Sequence, residues 1–445
     1  MRPDWLKNIP SSWSSAPFGS LFTQSKRKNS RLQRDFVLSV MKDRGVIPHT
    51  EKGNVGNKVS EDLSGYKLVD KGDFVLNSMN LYMGSVGVSA YDGVTSTAYI
   101  VCKPSEEVYA GYYNYLIQFK GFQEYVGLLG KGIMEIREAV RWTALKSVSV
   151  PVPNFETQRQ IADFLDRETE RIDLLIERKR RLVELLGERE EGTFIDHVTG
   201  KDLSFEKKHS GVEWIKEIPS HWFAPKFTHV ARQETGHTPS RKVDDYWVPE
   251  ECVIPWVSLA DVWQLRDGGM IYISDTAEKI SEVGMENSSA RLLPKDTVIL
   301  SRTASVGFPG IIAKPMATTQ DFAAWICGKQ IRPQFLYYVL RAMKPEFRRL
   351  MMGSTHQTIY MPDIRSFRTP LPPVQEQDQI IARLSSTLQV FRKSAAALTT
   401  SIDRLKEYRS ALITAAVTGQ IDVETYAKQG TADRRLDTIQ EEMQA

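Results

Sequence analysis

From residue 381 onward, apolar side chains recur at alternating steps of three and four: Ile381, Leu384, Leu388, Phe391, Ala395, Leu398, Ile402 and Leu405. Every position of this stripe is apolar, the pattern of a coiled-coil seam. Moving 219 residues back gives Ala162, Leu165, Thr169, Ile172, Ile176, Lys179, Val183 and Leu186, the same seam with two polar exceptions. The segments that carry them begin PVPNFETQRQI at Pro151 and PLPPVQEQDQI at Pro370. Pro153 and Pro372, Gln158 and Gln377, Ile161 and Ile380, and Gly200 and Gly419 are each 219 residues apart, with no gap needed. A repeat of this length predicts two equivalent units. Each copy predicts a proline-set extended approach and then a helix of roughly 30 residues, ~45 Å long. In the first copy Asp163 precedes Arg167, and Glu177 precedes Arg181, by four positions, which supports a solvated outer face. The matched register predicts that the helices pack on each other rather than capping two separate globular domains.

Between the helices the pattern turns to strands. DFVLSV at Asp35, GDFVLNS at Gly72, TAYIVC at Thr97, CVIPWVSL at Cys252, DTVILSR at Asp296 and AAWICG at Ala323 are punctuated by glycine and proline. Shorter helices are predicted over residues 112–129 and 335–352. A shared WxKxIPSxW, Trp5 to Trp13 and Trp214 to Trp222, marks where each globular part begins, and GSVG at Gly84 corresponds to ASVG at Ala304. The fold class is α+β: two similar mixed α/β domains separated by two long helices in an antiparallel coiled coil, an internal pseudo-twofold repeat. The expected boundaries are 1–156, 157–207 (helix), 208–375, 376–424 (helix) and a polar tail at 425–445.

A chain of 445 residues, 41% apolar and 25% charged, is an ordinary multidomain composition. The net charge of +3 is too small to identify an acidic partner, so local distribution must carry that argument. Cys102, Cys252 and Cys327 lie far apart, which excludes a CxxC zinc site and favours a reducing compartment. No signal peptide and no apolar run near 18 residues is found, so a cytoplasmic protein without membrane contact is expected. Catalytic signatures are missing: there is no GxxxxGK[ST], no DPPY-like or NPPY-like run, and no HExxH or HxH among seven histidines. The chain is therefore expected to be non-catalytic and metal-free.

Basic and hydrogen-bonding residues gather in the parts where the copies differ. Lys26, Arg27, Lys28, Arg31 and Arg34 form a run with no acid inside it, followed by Lys131, Arg137, Arg141 and Lys146. The second half has Arg232, Arg241, Lys242, Arg302, Arg341, Lys344, Arg348 and Arg349. Asn77, Ser78 and Asn80 stand among the first set, and Ser301, Thr303, Ser305, His356, Gln357 and Thr358 among the second. Lysine and arginine would neutralise phosphates, while arginine, asparagine and glutamine can make bidentate contacts to base edges. The alternative for any one of these residues is a solvated surface. The candidate DNA contacts are the loops after the GDFVL and DTVIL strands, residues 77–80 and 301–305, with residues 26–34, 232–242 and 356–357.

The duplicated plan, PLPPVQEQDQI with its PVPNFETQRQI partner, AAVTGQID at Ala415 with DHVTGKDL at Asp196, and GSTHQTIYMPDIRSF before the second PLPP together resemble the specificity subunit of type I restriction-modification systems. The resemblance extends from the first IPSSW to about Val423. One departure is NFET at Asn154 where the second copy has PVQE at Pro373, so the first motif lacks its glutamate before the glutamine. The resemblance implies two target-recognition domains, each reading half of a bipartite asymmetric double-stranded DNA target, with the helices as a ruler. Antiparallel helices ~45 Å long suit half-sites about 34 Å apart. It also implies two docked adenine methyltransferase subunits and restriction/translocase subunits, which bind S-adenosylmethionine, ATP and Mg, and no required homo-oligomer. Docking is expected on exposed helix faces at Arg178, Arg181, Arg404 and Arg409. Two other classes stay open: a tandem scaffold that never touches DNA, and a recognition fragment of a fused restriction-methylase.

Overall fold

The computed structural model describes residues 3–428 apart from 43, 54–57, 130–138, 267–268 and 352–356, together with 430, 434, 436, 438 and 439. Two compact units share the chain: unit 1 holds Met1–Arg181 with Ala397–Ala445, and unit 2 holds Leu182–Ala396. The long helices are Phe155–Val198 and Val374–Val417, 44 residues each and about 66 Å long. Both exceed the expected length of roughly 30 residues, and the first continues through Gly187 and Gly192. Glycine weakens a helix interior by about 1 kcal/mol, yet Phe194 and Val198 beyond them are anchored in the core of unit 2.

Every position of both stripes is buried or half-buried. In unit 1, Ile172 and Ile176 share a core with Ile402 and Leu405, and Asp173 pairs with Arg409 at 2.9 Å. In unit 2, Phe194 and Val198 share one with Ile380, Leu384 and Leu388. Within each unit the early half of one helix lies with the late half of the other, so the pair runs antiparallel. The polar exceptions have local explanations. Thr169 shares a 3.1 Å hydrogen bond with the Tyr115 hydroxyl, and Lys179 is buried, its ammonium pKa lowered by desolvation.

Each unit builds its sheet in one order. Unit 1 runs Phe22–Gln24, Tyr99–Pro104, Phe74–Asn77, Val86–Val88, all antiparallel. Unit 2 runs Ala231–Thr235, Phe322–Cys327, Val298–Ser301, Pro309–Ile312, and adds Tyr272–Ile273 in parallel. The central strands Phe74–Asn77 and Val298–Ser301 are buried along their whole length, hence their unbroken apolar runs. The divergent additions are two antiparallel pairs in unit 1, the hairpin of Leu38–Met41 with Gly45–Pro48 and the longer-range pair of Lys67–Val69 with Gly93–Thr95. Unit 2 instead carries a three-stranded sheet of Glu278–Ser281, Cys252–Val257 and Ala317–Thr318. The shorter helices expected as single elements are each broken in two: Ala110–Gln118 and Lys120–Leu129, then Pro333–Ala342 and Lys344–Met351. Phe119 is extended at the first break; at the second, Pro345 falls in the first turn of the new helix, where its missing N–H leaves nothing unpaired.

Both junctions between unit and helix use one buried glutamine. Gln158 donates to Glu107 O (3.0 Å) and Pro153 O (2.9 Å) and accepts from Tyr109 N (2.8 Å). Gln377 donates to Gln330 O (2.8 Å) and Pro372 O (2.9 Å) and accepts from Arg332 N (2.8 Å). The helix ends are also matched. Gly200 and Gly419 adopt φ of 66° and 69°, and a Cβ there would press on Pro219 and Trp222 or on Pro10 and Trp13. The repeated WxKxIPSxW is thus the surface on which each VTG helix end rests.

Candidate nucleic-acid interface

Residues 26–34 of unit 1 form a loop closed around the buried Asn29. Its side chain donates to Arg34 O (2.7 Å) and Leu63 O (3.3 Å) and accepts from Arg34 N (3.1 Å). No acid lies inside the run, but the fold supplies one from a distance. Asp70 receives Arg27 (2.5 Å), Arg34 (2.9 Å) and Lys103 (3.0 Å). Burial works to raise the Asp70 carboxyl, and the hydrogen bonds from Lys103, Arg34 and Arg27 overcome it, holding its pKa at about 2. Arg27 and Arg34 therefore brace the loop, while Lys26, Lys28 and Arg31 stand exposed along it.

The two loops after the central strands are fixed by the same backbone bond. Val140 N donates to Ser78 O at 2.9 Å in unit 1, and Ile359 N donates to Arg302 O at 2.9 Å in unit 2. Asn77, Ser78 and Ser301 are buried and serve the loops themselves. Asn77 Oδ1 accepts from Met79 N (3.2 Å), Ser78 donates to Ala98 O (2.5 Å), and Ser301 accepts from Phe308 N (3.1 Å). Asn80 is half-buried and, with Asn77, lines a cleft of about 470 Å³ whose wall also holds Lys42, His49, Lys52, Lys58, Tyr66 and Tyr99.

Unit 2 brings more of the expected residues together. Arg302 Nε donates to Gln320 O (2.9 Å), and the Gln320 side chain accepts from Thr238 Oγ1 (2.7 Å), which draws residues 232–242 to residues 301–305. Gln357 O accepts from Ala304 N (3.0 Å), and Thr303 bridges Thr358. Thr303 donates to Asp321, and Arg266 reaches Ser305 at 3.5 Å. Gly236 permits this convergence: a Cβ there would lie 1.8 Å from Thr318 O. Arg241 is held elsewhere, 3.8 Å above the Trp247 ring and 2.6 Å from Glu278. Arg232 pairs with Glu234 at 3.2 Å, and Lys242 is exposed. Of the expected helix-face residues, Arg178, Arg181 and Arg404 are exposed, whereas Arg409 belongs to the seam through Asp173. Lys131, Arg137 and His356 lie outside the described residues.

Asp70, Arg266, Gln320 and Asp321 are the residues that sequence reasoning missed. Each acts on a partner at least 18 residues away in the chain, so local spacing holds no sign of them. Exposed Trp263, one turn before Arg266, was also passed over.

Among the described residues no group of histidine, cysteine or acid could hold a metal, and no helix is long and apolar enough to cross a membrane. A duplicated α+β frame on an antiparallel helix pair, with divergent polar loops at the ends of equivalent strands, defines a tandem recognition protein. The family model for the type I restriction modification DNA specificity domain matches residues 10–184 and 227–400, and the chain belongs to that family. It is a DNA-specificity subunit of a type I restriction-modification system, in which catalysis lies in partner subunits. It is 30% identical over 173 residues to the MjaIX specificity subunit of Methanocaldococcus jannaschii, a match that spans 38% of this chain and 39% of that protein. The putative MjaX specificity subunit of the same organism is 22% identical over 389 residues, 85% of each chain. A chain from a solved type I R-M system, described for complex assembly and conformational transition, has a TM-score of 0.69 at 17% identity, over 93% of this chain and all of that one.

Proposed function

We propose that each unit reads one half of a split double-stranded DNA target, and that the chain brings two adenine methyltransferase subunits and restriction/translocase subunits to it in the cytoplasm. The observation that carries this reading is the convergence in unit 2 of Arg302, Ser305, Gln320 and Gln357 at the open end of the central strand. Arginine and glutamine held by fixed backbone are suited to bidentate readout in the major groove. In unit 1 the exposed Lys26, Lys28 and Arg31 contact phosphates, while Asn80 and the cleft beside it face the bases. The partner subunits bind S-adenosylmethionine, ATP and Mg; this chain supplies the address. The long helices set the distance between half-sites, and their exposed Arg178, Arg181 and Arg404 contact partner subunits.

Binding of the chain, assembled with its methyltransferase subunits, to matched and altered duplexes tests the division of labour. Lys26→Ala weakens all sequences alike and lowers the salt slope by about one contact. Arg302→Ala instead relaxes one base pair of one half-site, by about 1 to 3 kcal/mol. Equal loss on every sequence for both variants would contradict the assignment. Absence of DNA binding by the intact assembly would favour the scaffold reading.

A further inference from the structure

In the helical turn Trp263–Arg266 every residue but one has a use within unit 2. Asp261, fully buried just before the turn, accepts from Ser258 N (2.9 Å) and Ala277 N (2.7 Å) and fixes where the turn begins. Val262 and Leu265 are buried in a core with Ile299 and Ile312 of the sheet. Gln264 donates to Asp275 O (3.3 Å), and Arg266 reaches Ser305 (3.5 Å). Trp263 is left over. It is 66% exposed, and among the described residues it makes no hydrogen bond and no ring contact. An aromatic side chain of this kind offers about 150 to 250 Å² for burial, yet the fold holds this indole in water on a rigid support.

The position of the indole selects its partner. Residues three apart on a helix share a face, so Trp263 stands beside Arg266, whose guanidinium reaches the 301–305 loop. That loop, with Gln357, is the proposed reading surface of unit 2. A duplex hides the faces of its bases in the stack, and the apolar group it displays in the major groove is the C5-methyl of thymine. An indole has one donor and a broad apolar surface, so it suits that methyl rather than the phosphates, which attract lysine and arginine. Its fixed seat also lowers the ordering cost of contact. We propose that Trp263 packs on a thymine methyl in the half-site that unit 2 reads, which makes it a specificity-determining residue. This rests on the reading that unit 2 binds DNA through the 301–305 loop, and adds an apolar contact to the polar ones assigned there.

The test uses the full chain assembled with its methyltransferase subunits, on duplexes that carry its methylated motif. Each thymine of both half-sites and their flanks is replaced in turn by deoxyuridine, which removes the methyl alone. At one position the affinity is expected to fall about fourfold, the worth of one buried methyl group. Trp263→Ala is expected to weaken binding to the thymine duplex by more than that, to be indifferent to deoxyuridine at the same position, and to leave thermal unfolding unchanged. Trp263→Phe keeps the sensitivity. The proposal is overturned if no thymine is sensitive, or if the sensitive one stays equally so in Trp263→Ala. Loss of methyltransferase association by Trp263→Ala with DNA affinity intact would overturn it too, by making the indole a protein contact. If the unsubstituted assembly binds matched and scrambled duplexes equally, the DNA reading falls first and the thymine contact with it.

Discussion

Replacing Gln158 or Gln377 with leucine keeps most of the volume and removes three hydrogen bonds at once. Two carbonyls and one N–H are then left buried at a junction, and each such group costs about 1 to 3 kcal/mol when unpaired. Q158L is expected to lower the unfolding transition of unit 1 and Q377L that of unit 2, read by urea melts; a loss below about 0.5 kcal/mol in both would contradict this role. Asp70 makes a pH-dependent contribution. Its folded carboxyl is depressed to about 2 from an ordinary value near 3.8, so its stabilisation is complete above about pH 4. That contribution, on the order of 2 kcal/mol, is lost as pH falls toward 2. D70N should remove that part of the acid dependence and also free Arg27 and Arg34, raising non-specific DNA affinity. The pairing of glutamines was legible because both sit in the helix repeat. Asp70 was not, because its three partners come from residues 27, 34 and 103, which only the folded sheet assembles.

The long helices were the most legible elements. Their seam recurs without a gap, and burying each leucine or isoleucine of such a seam contributes about 1.5 to 3 kcal/mol. Even the NFET departure has a local answer. Asn154 caps the first helix through Thr157 N (2.8 Å), while in the second copy Glu376 accepts from Trp222 Nε1 (2.8 Å) and His221 Nε2 (2.9 Å). The helices run to 44 residues because their far ends are anchored too, the first through buried Phe194 and Val198 and the second through buried Leu412, Ala416 and Val417. The sheets were legible as strands, but their order and the added strand pairs were not, since pairing over tens of residues leaves no periodic trace. If the helices set the half-site separation, deleting one heptad from each, about 10 Å of rise, shortens the spacer by roughly three base-pair steps. The half-site sequences should stay the same. An unchanged spacer, read from the methylated motif, would contradict the ruler.

At the scale of the whole molecule, duplication divides the chain into a shared frame and a divergent interior. The frame consists of the buried glutamines, the VTG helix ends on their tryptophan–proline rests, and one sheet order used twice. The interior holds the loops where Arg302, Gln357, Asn80 and the 26–34 run stand, and the proposed DNA contacts fall there. The measurement that tests this most directly is single-molecule sequencing of host DNA for methyladenine, with this gene intact and with it deleted while the methyltransferase gene is untouched. Loss of one split motif on deletion, and its return when the gene is restored, is the predicted result. Persistence of that motif without the gene would contradict the claim that this chain chooses the site.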